Sequence, residues 1–267
     1  MTVWSHESGD VGAPLIALIH GTMDRSAGML RLSRSLDEEY RVLRYDRRGY
    51  GRSAPHPGPF GIDQQIDDLV ELLGGRRALL FGHSYGGNVA LATAARHPEL
   101  VVAVAVYETP LSWLDWWPGS TAGGDAVATR GTPAEAAERF IRRLIGDARW
   151  DKLPPTTRDA RRSEGPAMVG ELVDLRDHAP WSAREIAVPV VAMFGEHGAP
   201  HHRAGTAHLG DVLGDAGVVQ VDGARHFGPN THPHAVAGAI EALASRVGHG
   251  EHHQRPGDAG DGGRQHE

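Results

Sequence analysis

The chain has 267 residues, a length that fits one large α/β domain with an insertion or two small domains. Its formal net charge of −7 argues against a nucleic-acid-binding surface, and the absence of cysteine excludes disulfides and thiolate metal sites. No apolar run approaches the ~20 residues that a membrane helix needs, and residues 1–12 lack the basic start of a secretory signal. We therefore expect a cytoplasmic monomer or homodimer that acts on a small molecule, with no nucleic-acid or membrane partner.

Short apolar runs alternate with segments of helical spacing along much of the chain. The runs are rich in valine and bounded by glycine, which is typical of strands buried on both faces of a parallel sheet. Six strands are predicted at residues 15–19, 41–45, 78–81, 101–106, 188–194 and 218–221. Helices are predicted at residues 62–73, 87–96 and 233–247. This alternation predicts βαβ units with right-handed crossovers.

One long segment contains no convincing strand and interrupts the alternation. Thr132, Pro133 and Glu135 have the pattern of a helix start, with a capping threonine, a proline at the first helical position and a glutamate at the third. A second helical piece is predicted at residues 156–175. The chain then divides into a core in two parts, a helical cap and a disordered tail rich in glycine and histidine: residues 1–110 and 185–247, residues 111–184, and residues 248–267.

Residues 82–87, Gly-His-Ser-Tyr-Gly-Gly, contain a Gly-x-Ser-x-Gly pattern between a predicted strand and a predicted helix. In a nucleophile elbow, such a serine sits on a sharp, strained turn, and the glycines let the strand and the helix approach each other closely. Ser84 is therefore the candidate nucleophile. The alternative is a glycine-rich turn that carries an inert serine.

His226 lies in a loop after the last predicted strand and before the last predicted helix. A side chain whose pKa is near neutrality can take the serine proton and return it to a leaving group. We interpret His226 as the candidate general base. The alternatives are a surface loop histidine and a histidine that serves packing.

These motifs resemble those of the α/β-hydrolase superfamily over nearly the whole chain except the tail. Residues 20–22, His-Gly-Thr, follow the first predicted strand as the family's oxyanion loop does, and residues 46–53 match its Asp-x-x-Gly-x-Gly-x-Ser loop. The resemblance implies a mostly parallel central sheet flanked by helices, with a helical cap inserted after the sixth core strand. It also implies an oxyanion hole formed by the backbone N–H groups of Thr22 and Tyr85, and it implies no cofactor.

The acid of the triad is missing from the position where this family often carries it. In a Gly-x-x-Asp turn after the penultimate strand, the Asp position is Gly198. Glu108 is the candidate instead, because haloalkane dehalogenases and some lipases place their acid at the end of the preceding strand. The order Ser84, Glu108, His226 keeps the family's order of serine, acid and histidine. A structural role for Glu108 is the main alternative. The others are no acid at all, or one of three further carboxylates: Glu196, Asp211 and Asp222.

Large side chains near these motifs are candidates for a substrate pocket. Trp113, Trp116 and Trp117 follow Glu108 in the predicted cap, and Met23 follows the predicted oxyanion loop. The alternative is that the tryptophans form a small core of the cap itself.

Several histidines lie close together in sequence, and histidine is the commonest metal ligand. They are His197, His201, His202 and His208. No acidic residue stands at a spacing such as His-Glu-x-x-His, and Gly198 and Pro200 indicate a loop. We therefore expect a solvated loop and no metal site.

Taken together, the motifs favour a serine hydrolase that cleaves an ester, a lactone or an activated C–C bond of a mid-sized, apolar substrate. One alternative is a lyase, cyclase or isomerase on the same scaffold, in which Ser84 and His226 do acid–base work. The missing Asp favours that alternative. A ligand receptor without turnover is the third hypothesis, and the fold alone does not separate the three.

Overall fold

A computed structural model describes residues 3–128, 130–214 and 216–249 of the chain. Its strands span Ser5–Ser8 (β1), Leu15–Ile19 (β2), Arg41–Tyr45 (β3), Ala78–His83 (β4), Val101–Tyr107 (β5), Val190–Gly195 (β6) and Gly217–Val221 (β7). They form one sheet in the order β1-β3-β2-β4-β5-β6-β7. β1 runs antiparallel to β3, and every other neighbouring pair is parallel.

All six predicted strands are confirmed, and the architecture is the predicted parallel sheet flanked by helices. β1 was not predicted, because its residues, Ser-His-Glu-Ser, contain no apolar run. It is an edge strand that pairs on one side and stays partly exposed. β6 begins at Val190, later than predicted, after Pro189, which has no N–H to give to the ladder. The helical segment expected after a sixth strand follows β5, because a single strand precedes β2 in the described part of the chain.

The helices of the described residues span Leu30–Leu36 (α1), Ile62–Leu73 (α2), Tyr85–Arg96 (α3), Ala122–Ala128 (α4), Pro133–Ile145 (α5), Asp147–Asp151 (α6), Pro155–Ser163 (α7), Gly165–Asp177 (α8), Pro200–Val212 (α9), Gly228–Thr231 (α10) and Pro233–Arg246 (α11). α2, α3 and α11 confirm the three predicted core helices. The predicted start of α5 is confirmed as well, because the Thr132 hydroxyl accepts from the Glu135 N–H at 3.3 Å and the Glu135 carboxylate accepts from the Thr132 N–H at 2.7 Å.

Two predictions about helices are wrong. Residues 156–175 form parts of two helices, α7 and α8, because Pro166 lies in the first turn of α8 and is not tolerated inside a longer helix. The segment after Gly198, predicted as a loop, forms α9. Pro200 is its first residue, a position where a missing N–H costs nothing. As a result, three of the clustered histidines lie on a helix and not in a loop: His201, His202 and His208.

Apolar side chains cover both faces of the sheet. On one face α2 and α3 pack through residues such as Ile66 and Val89, and on the other α1 and α11 pack through residues such as Leu32 and Ile240. The helices between β5 and β6 have a separate cluster around the fully buried Trp150. The carboxyl ends of β4, β5 and β6 lie at the same edge of the sheet, which is where parallel sheets place their binding sites.

The helices α4 to α8 all fall within residues 111–184, the predicted cap, although the division of the chain at these residues stays a prediction. The predicted tail lies outside the described residues, apart from Gly248 and His249. Within the described ranges, every helix is too short or too polar to cross a membrane.

Candidate active site

Ser84 forms the turn between β4 and α3 and has a strained backbone. Its φ of 52° and ψ of −125° are rare for a residue other than glycine, and such a conformation persists only where the surroundings impose it. A side chain at Gly82 or Gly86 would overlap neighbouring backbone, so strand and helix approach closely only because both are glycine. The Ser84 N–H donates to the Tyr107 oxygen at 2.8 Å, which fixes the turn to β5.

Glu108 follows directly after β5 and contacts His226. The Nδ1–H of His226 donates to Glu108 Oε2 at 2.7 Å, and the Gly195 N–H donates to Glu108 Oε1 at 3.0 Å. The Glu108 side chain is fully buried, and its backbone φ of 47° is again in the left-handed region. An ionised carboxylate only accepts hydrogen bonds, so this contact puts the proton on Nδ1 of His226 and leaves Nε2 as an acceptor. That is the tautomer that a general base next to a serine needs.

The structure explains why glycine stands at the position where an aspartate is common. A Cβ added at Gly198 would overlap the Glu108 carboxylate. The carboxylate of Glu108 thus fills the space that a side chain at 198 would enter, although it arrives from the preceding strand of the sheet. The position of the Glu108 carboxylate therefore requires glycine at residue 198.

Both predicted oxyanion donors lie next to Ser84. Tyr85 is the first residue of α3, so its N–H has no acceptor within the helix. The loop after β2 passes close by, since a Cβ added at Gly21 would lie 3.0 Å from the Ser84 Cβ. Thr22, the next residue, lines the same cavity as Ser84 and His226. Their role as donors to an oxyanion stays a prediction.

A fully buried ion pair joins Arg47, in the loop after β3, to the helical segment, and the same arginine contacts the loop after β2. Arg47 donates to both carboxylate oxygens of Glu171 on α8, at 2.6 and 3.2 Å, and to the main-chain oxygens of His20 and Gly21, at 2.9 and 3.2 Å. The Tyr50 hydroxyl also donates to Glu171, at 2.8 Å. Because removing one partner of a buried pair costs roughly 3–5 kcal/mol, this contact fixes α8 relative to the predicted oxyanion loop.

His202, on α9, is a site residue that the sequence analysis missed. Its ring stacks on that of His226, with the centroids 4.7 Å apart and the planes at 17°, and its Nε2 lies 3.8 Å from Glu108 Oε2. Burial first, and then the nearby His226 and His201, hold the pKa of His202 well below its usual range. At neutral pH it is therefore an uncharged wall that covers the Glu108–His226 contact. His202 was expected in a solvated loop, because the segment that forms α9 was interpreted as a loop from Gly198 and Pro200.

A cavity of about 470 Å³ opens beside Ser84 and His226. Its walls come from the carboxyl ends of the strands, from α9 and from the helical segment, and this volume falls in the usual range for small-molecule sites. Phe140, Leu144 and Leu172 are among the walls, so the helical segment contributes an apolar stretch to the lining.

Of the four predicted pocket residues, Trp117 is the one found among the described residues that line this cavity. Trp113 packs edge-on against Trp181, with ring centroids 5.3 Å apart. Trp116 is 45% exposed, and Met23 is buried in the cluster of the helical segment. The structure thus brings Ser84, His226, Glu108, Thr22, Tyr85 and Trp117 together, and it places the other three elsewhere.

Among the described residues, Glu108, His202 and His226 are a group that could hold a metal ion, since each offers a ligand atom within 4.8 Å of the others. Glu108 and His226 already share a hydrogen bond, which a metal would have to displace. The arrangement therefore fits a hydrogen-bonded pair of Glu108 and His226 better than a metal centre.

Acid is expected to destabilise the protein through its buried histidines. Burial lowers the pKa of His202 well below 6.5 and that of His83 to about 3, so below pH 6.5 the unfolded chain binds protons that the folded chain does not. The free energy of unfolding then falls as the pH falls. Replacing His202 by phenylalanine should reduce the loss between pH 7 and pH 5 by about 2 kcal/mol in urea titrations.

A matched control for this titration is His234→Gln, at an exposed histidine of α11. It should leave the loss between the two pH values unchanged. An unaltered loss in the His202→Phe protein would contradict a neutral, buried His202.

A parallel sheet with a strained serine after β4, a carboxylate after β5 and a histidine after β7 is the arrangement of α/β-hydrolases. The model of the alpha/beta hydrolase family matches residues 16–239, and the chain belongs to this family.

Individual relatives differ in how much of the chain they match. Epoxide hydrolase 4 of Mus musculus is 34% identical over 108 residues, which is 39% of this chain and 30% of that enzyme. The chain thus spans about a third of the length of this and similar curated relatives. The 2-(acetamidomethylene)succinate hydrolase of Mesorhizobium japonicum is 24% identical over 245 residues, covering 85% of this chain and 86% of that one.

Among solved structures, the enol-lactonase from Burkholderia xenovorans LB400 superimposes with a TM-score of 0.68 and 26% identity, over 91% of this chain and 96% of that one. A hydrolase from Pseudomonas aeruginosa gives a TM-score of 0.72 at 24% identity, over 90% and 92% of the two chains, and at this identity it supports the fold alone.

Proposed function

We propose that this protein is a serine hydrolase that cleaves an ester, a lactone or an activated C–C bond of a small molecule through an acyl-enzyme. One observation carries the proposal: the strained Ser84 opens into the same cavity as His226, whose Nδ1–H is held by the buried Glu108. Two relatives that match most of the chain, the enol-lactonase and the 2-(acetamidomethylene)succinate hydrolase, support the same reaction class.

The steps follow from the roles of these groups. Ser84 Oγ attacks the substrate carbonyl while His226 Nε2 takes its proton, and Glu108 stabilises the imidazolium that forms. The N–H groups of Thr22 and Tyr85 hold the negative oxygen, each contributing a few kcal/mol in comparable enzymes. The leaving group departs with the proton from His226. A water molecule, activated in turn by His226, then releases the acid and restores Ser84.

Residues 111–184 serve in this proposal as a lid over the cavity. The largely apolar wall formed by Phe140, Leu144 and Leu172 suits the carbon skeleton of a mid-sized substrate. A lyase or cyclase was favoured by the missing aspartate alone, and the Glu108 carboxylate now accounts for Gly198. No observation in the described residues therefore favours the non-hydrolytic alternative.

The proposal is tested with p-nitrophenyl butyrate under pre-steady-state conditions. Rapid acylation followed by slower release of butyrate should give a burst of nitrophenolate of up to one equivalent per active site, the sign of an acyl-enzyme. Ser84→Ala should abolish the burst and the turnover. Turnover that survives in the Ser84→Ala protein would overturn the assignment of the nucleophile.

A further inference from the structure

The helical segment brings a second kind of chemistry to the cavity. Arg143 on α5 and Arg176 on α8 both line it, and Arg225, beside His226, lines it from the core side. A cavity meant for a wholly apolar molecule gains nothing from guanidinium groups, which are costly to bury. A guanidinium that lines the cavity and has no carboxylate partner within the protein favours an anionic ligand.

Arg143 is already engaged. It forms an ion pair with Asp125 of α4 and donates to the main-chain oxygen of Ser120. Arg225 is exposed to solvent, where water compensates its charge. Neither arrangement requires a ligand.

Arg176 differs from both. Within the described residues, its recorded hydrogen bond runs from Nη1 to the main-chain oxygen of Leu172 at 2.9 Å, and no carboxylate lies within ion-pair distance. The side chain is half-buried, and this burial alone lowers the pKa of the guanidinium. An arginine placed in this way has most of its five donors unused by side chains and a charge that no carboxylate of the described residues offsets.

Arg176 lines the cavity beside Gly123 of α4. Its Nη2 packs against Gly123, where a Cβ would lie 3.3 Å from it, and residues 120–122, Ser-Thr-Ala, also line the cavity. The hydroxyl-bearing Ser120 and Thr121 and the Arg176 guanidinium therefore give this wall of the cavity polar groups beside its apolar ones. A planar guanidinium matches the two oxygens of a carboxylate in a bidentate contact.

We propose that Arg176 binds a carboxylate of the substrate, so that the natural substrate is an ester, lactone or activated C–C compound carrying a free carboxylate away from the reacting carbonyl. The class of reaction rests on the proposed function, whereas the anion site does not. A single uncompensated positive charge matches a carboxylate better than a phosphate dianion. The carbon chain of the substrate would run along Phe140, Leu144 and Leu172 between the two polar ends.

Two esters that differ at one group test the catalytic side of this proposal. They are p-nitrophenyl hemiadipate and p-nitrophenyl hexanoate, which have a carboxylate and a methyl group at the same position. In Arg176→Gln, kcat/KM for the hemiadipate should fall about 10–100-fold, the value of a charge-assisted hydrogen bond, and that for the hexanoate less than about threefold. Arg176→Lys should recover part of the loss, because it restores the charge without the fork.

Arg149→Gln is the matched control, since Arg149 is exposed on α6 of the same helical segment and lies away from the cavity lining. It should leave both esters unaffected. Equal losses for the two esters in Arg176→Gln, or no loss for either, would overturn the proposal.

Binding without turnover separates this inference from the proposed function. In calorimetric titrations, the Ser84→Ala protein should bind adipate at least tenfold more tightly than dimethyl adipate, and adding Arg176→Gln should remove the preference. If the esters are not hydrolysed but this preference holds, the anion site stands and the hydrolase proposal fails. If hydrolysis holds without the preference, or if inorganic phosphate binds more tightly than adipate, the carboxylate assignment fails.

Discussion

Replacing Glu108 by glutamine is expected to lower kcat for p-nitrophenyl butyrate by about 10³–10⁴-fold, the range seen when a triad acid becomes an amide. The geometry makes the effect specific. The Gly195 N–H, which donates to Oε1 at 3.0 Å, would hold the amide oxygen and turn the amide NH₂ towards His226. Nδ1 would then have to accept a hydrogen bond, which moves the ring proton to Nε2. The histidine would be in the wrong tautomer to take a proton from Ser84.

Glu196→Gln is the matched control, because Glu196 lies in the loop where the family often carries its acid. Its side chain is partly exposed, and its carboxylate accepts from the Gly223 N–H at 2.8 Å. This variant should keep kcat within about threefold, the effect of a surface substitution. The measurements are kcat for both proteins and their thermal unfolding, to confirm that both fold. Near-wild-type turnover in Glu108→Gln, or an equal loss in Glu196→Gln, would remove Glu108 from the triad.

The second large effect is expected at Gly198. In Gly198→Asp, the new Cβ would overlap the Glu108 carboxylate and a second negative charge would lie next to it, so the Glu108–His226 contact should be lost. We expect kcat to fall at least 10²-fold. In the double variant Glu108→Ala/Gly198→Asp, the space is free and the aspartate stands where related enzymes often carry it. It should recover at least tenfold over either Glu108→Ala or Gly198→Asp alone.

Gly238→Ala serves as the control for a glycine substitution, because a Cβ at that position of α11 meets no atom within 4 Å. Its turnover should equal that of the wild type. A Gly198→Asp protein with full activity would show that Glu108 does not occupy this space in solution. A double variant no better than the single ones would mean that the acid cannot be moved between the two strands.

Much of the fold was visible in the sequence because its strands are buried on both faces and therefore read as continuous apolar runs. β1 was not visible, since an edge strand of polar residues has no such signature. Ser84 was indicated by its Gly-x-Ser-x-Gly motif, His226 by its place between the last predicted strand and the last predicted helix, and Glu108 by the resemblance to relatives that carry their acid after this strand. The contact between Glu108 and His226 needed the sheet, because 118 positions separate the two residues.

Residues placed by helix packing were harder to foresee. His202 reaches His226 only because α9 begins at Pro200, which was interpreted as a loop residue. Arg176 follows the period of α8 and resembles any surface arginine until its neighbours are known. Tryptophan is a residue type that often lines pockets. Of Trp113, Trp116 and Trp117, however, Trp117 alone lines the cavity, and Trp116 is exposed.

The central claim is that Ser84 is a nucleophile activated by His226 and Glu108. Intact-mass analysis after treatment with a fluorophosphonate tests it most directly. We predict one covalent adduct on the wild type, none on the Ser84→Ala variant, and much slower labelling of Glu108→Gln. A folded wild type that takes up no adduct, or an adduct that persists in Ser84→Ala, would contradict it.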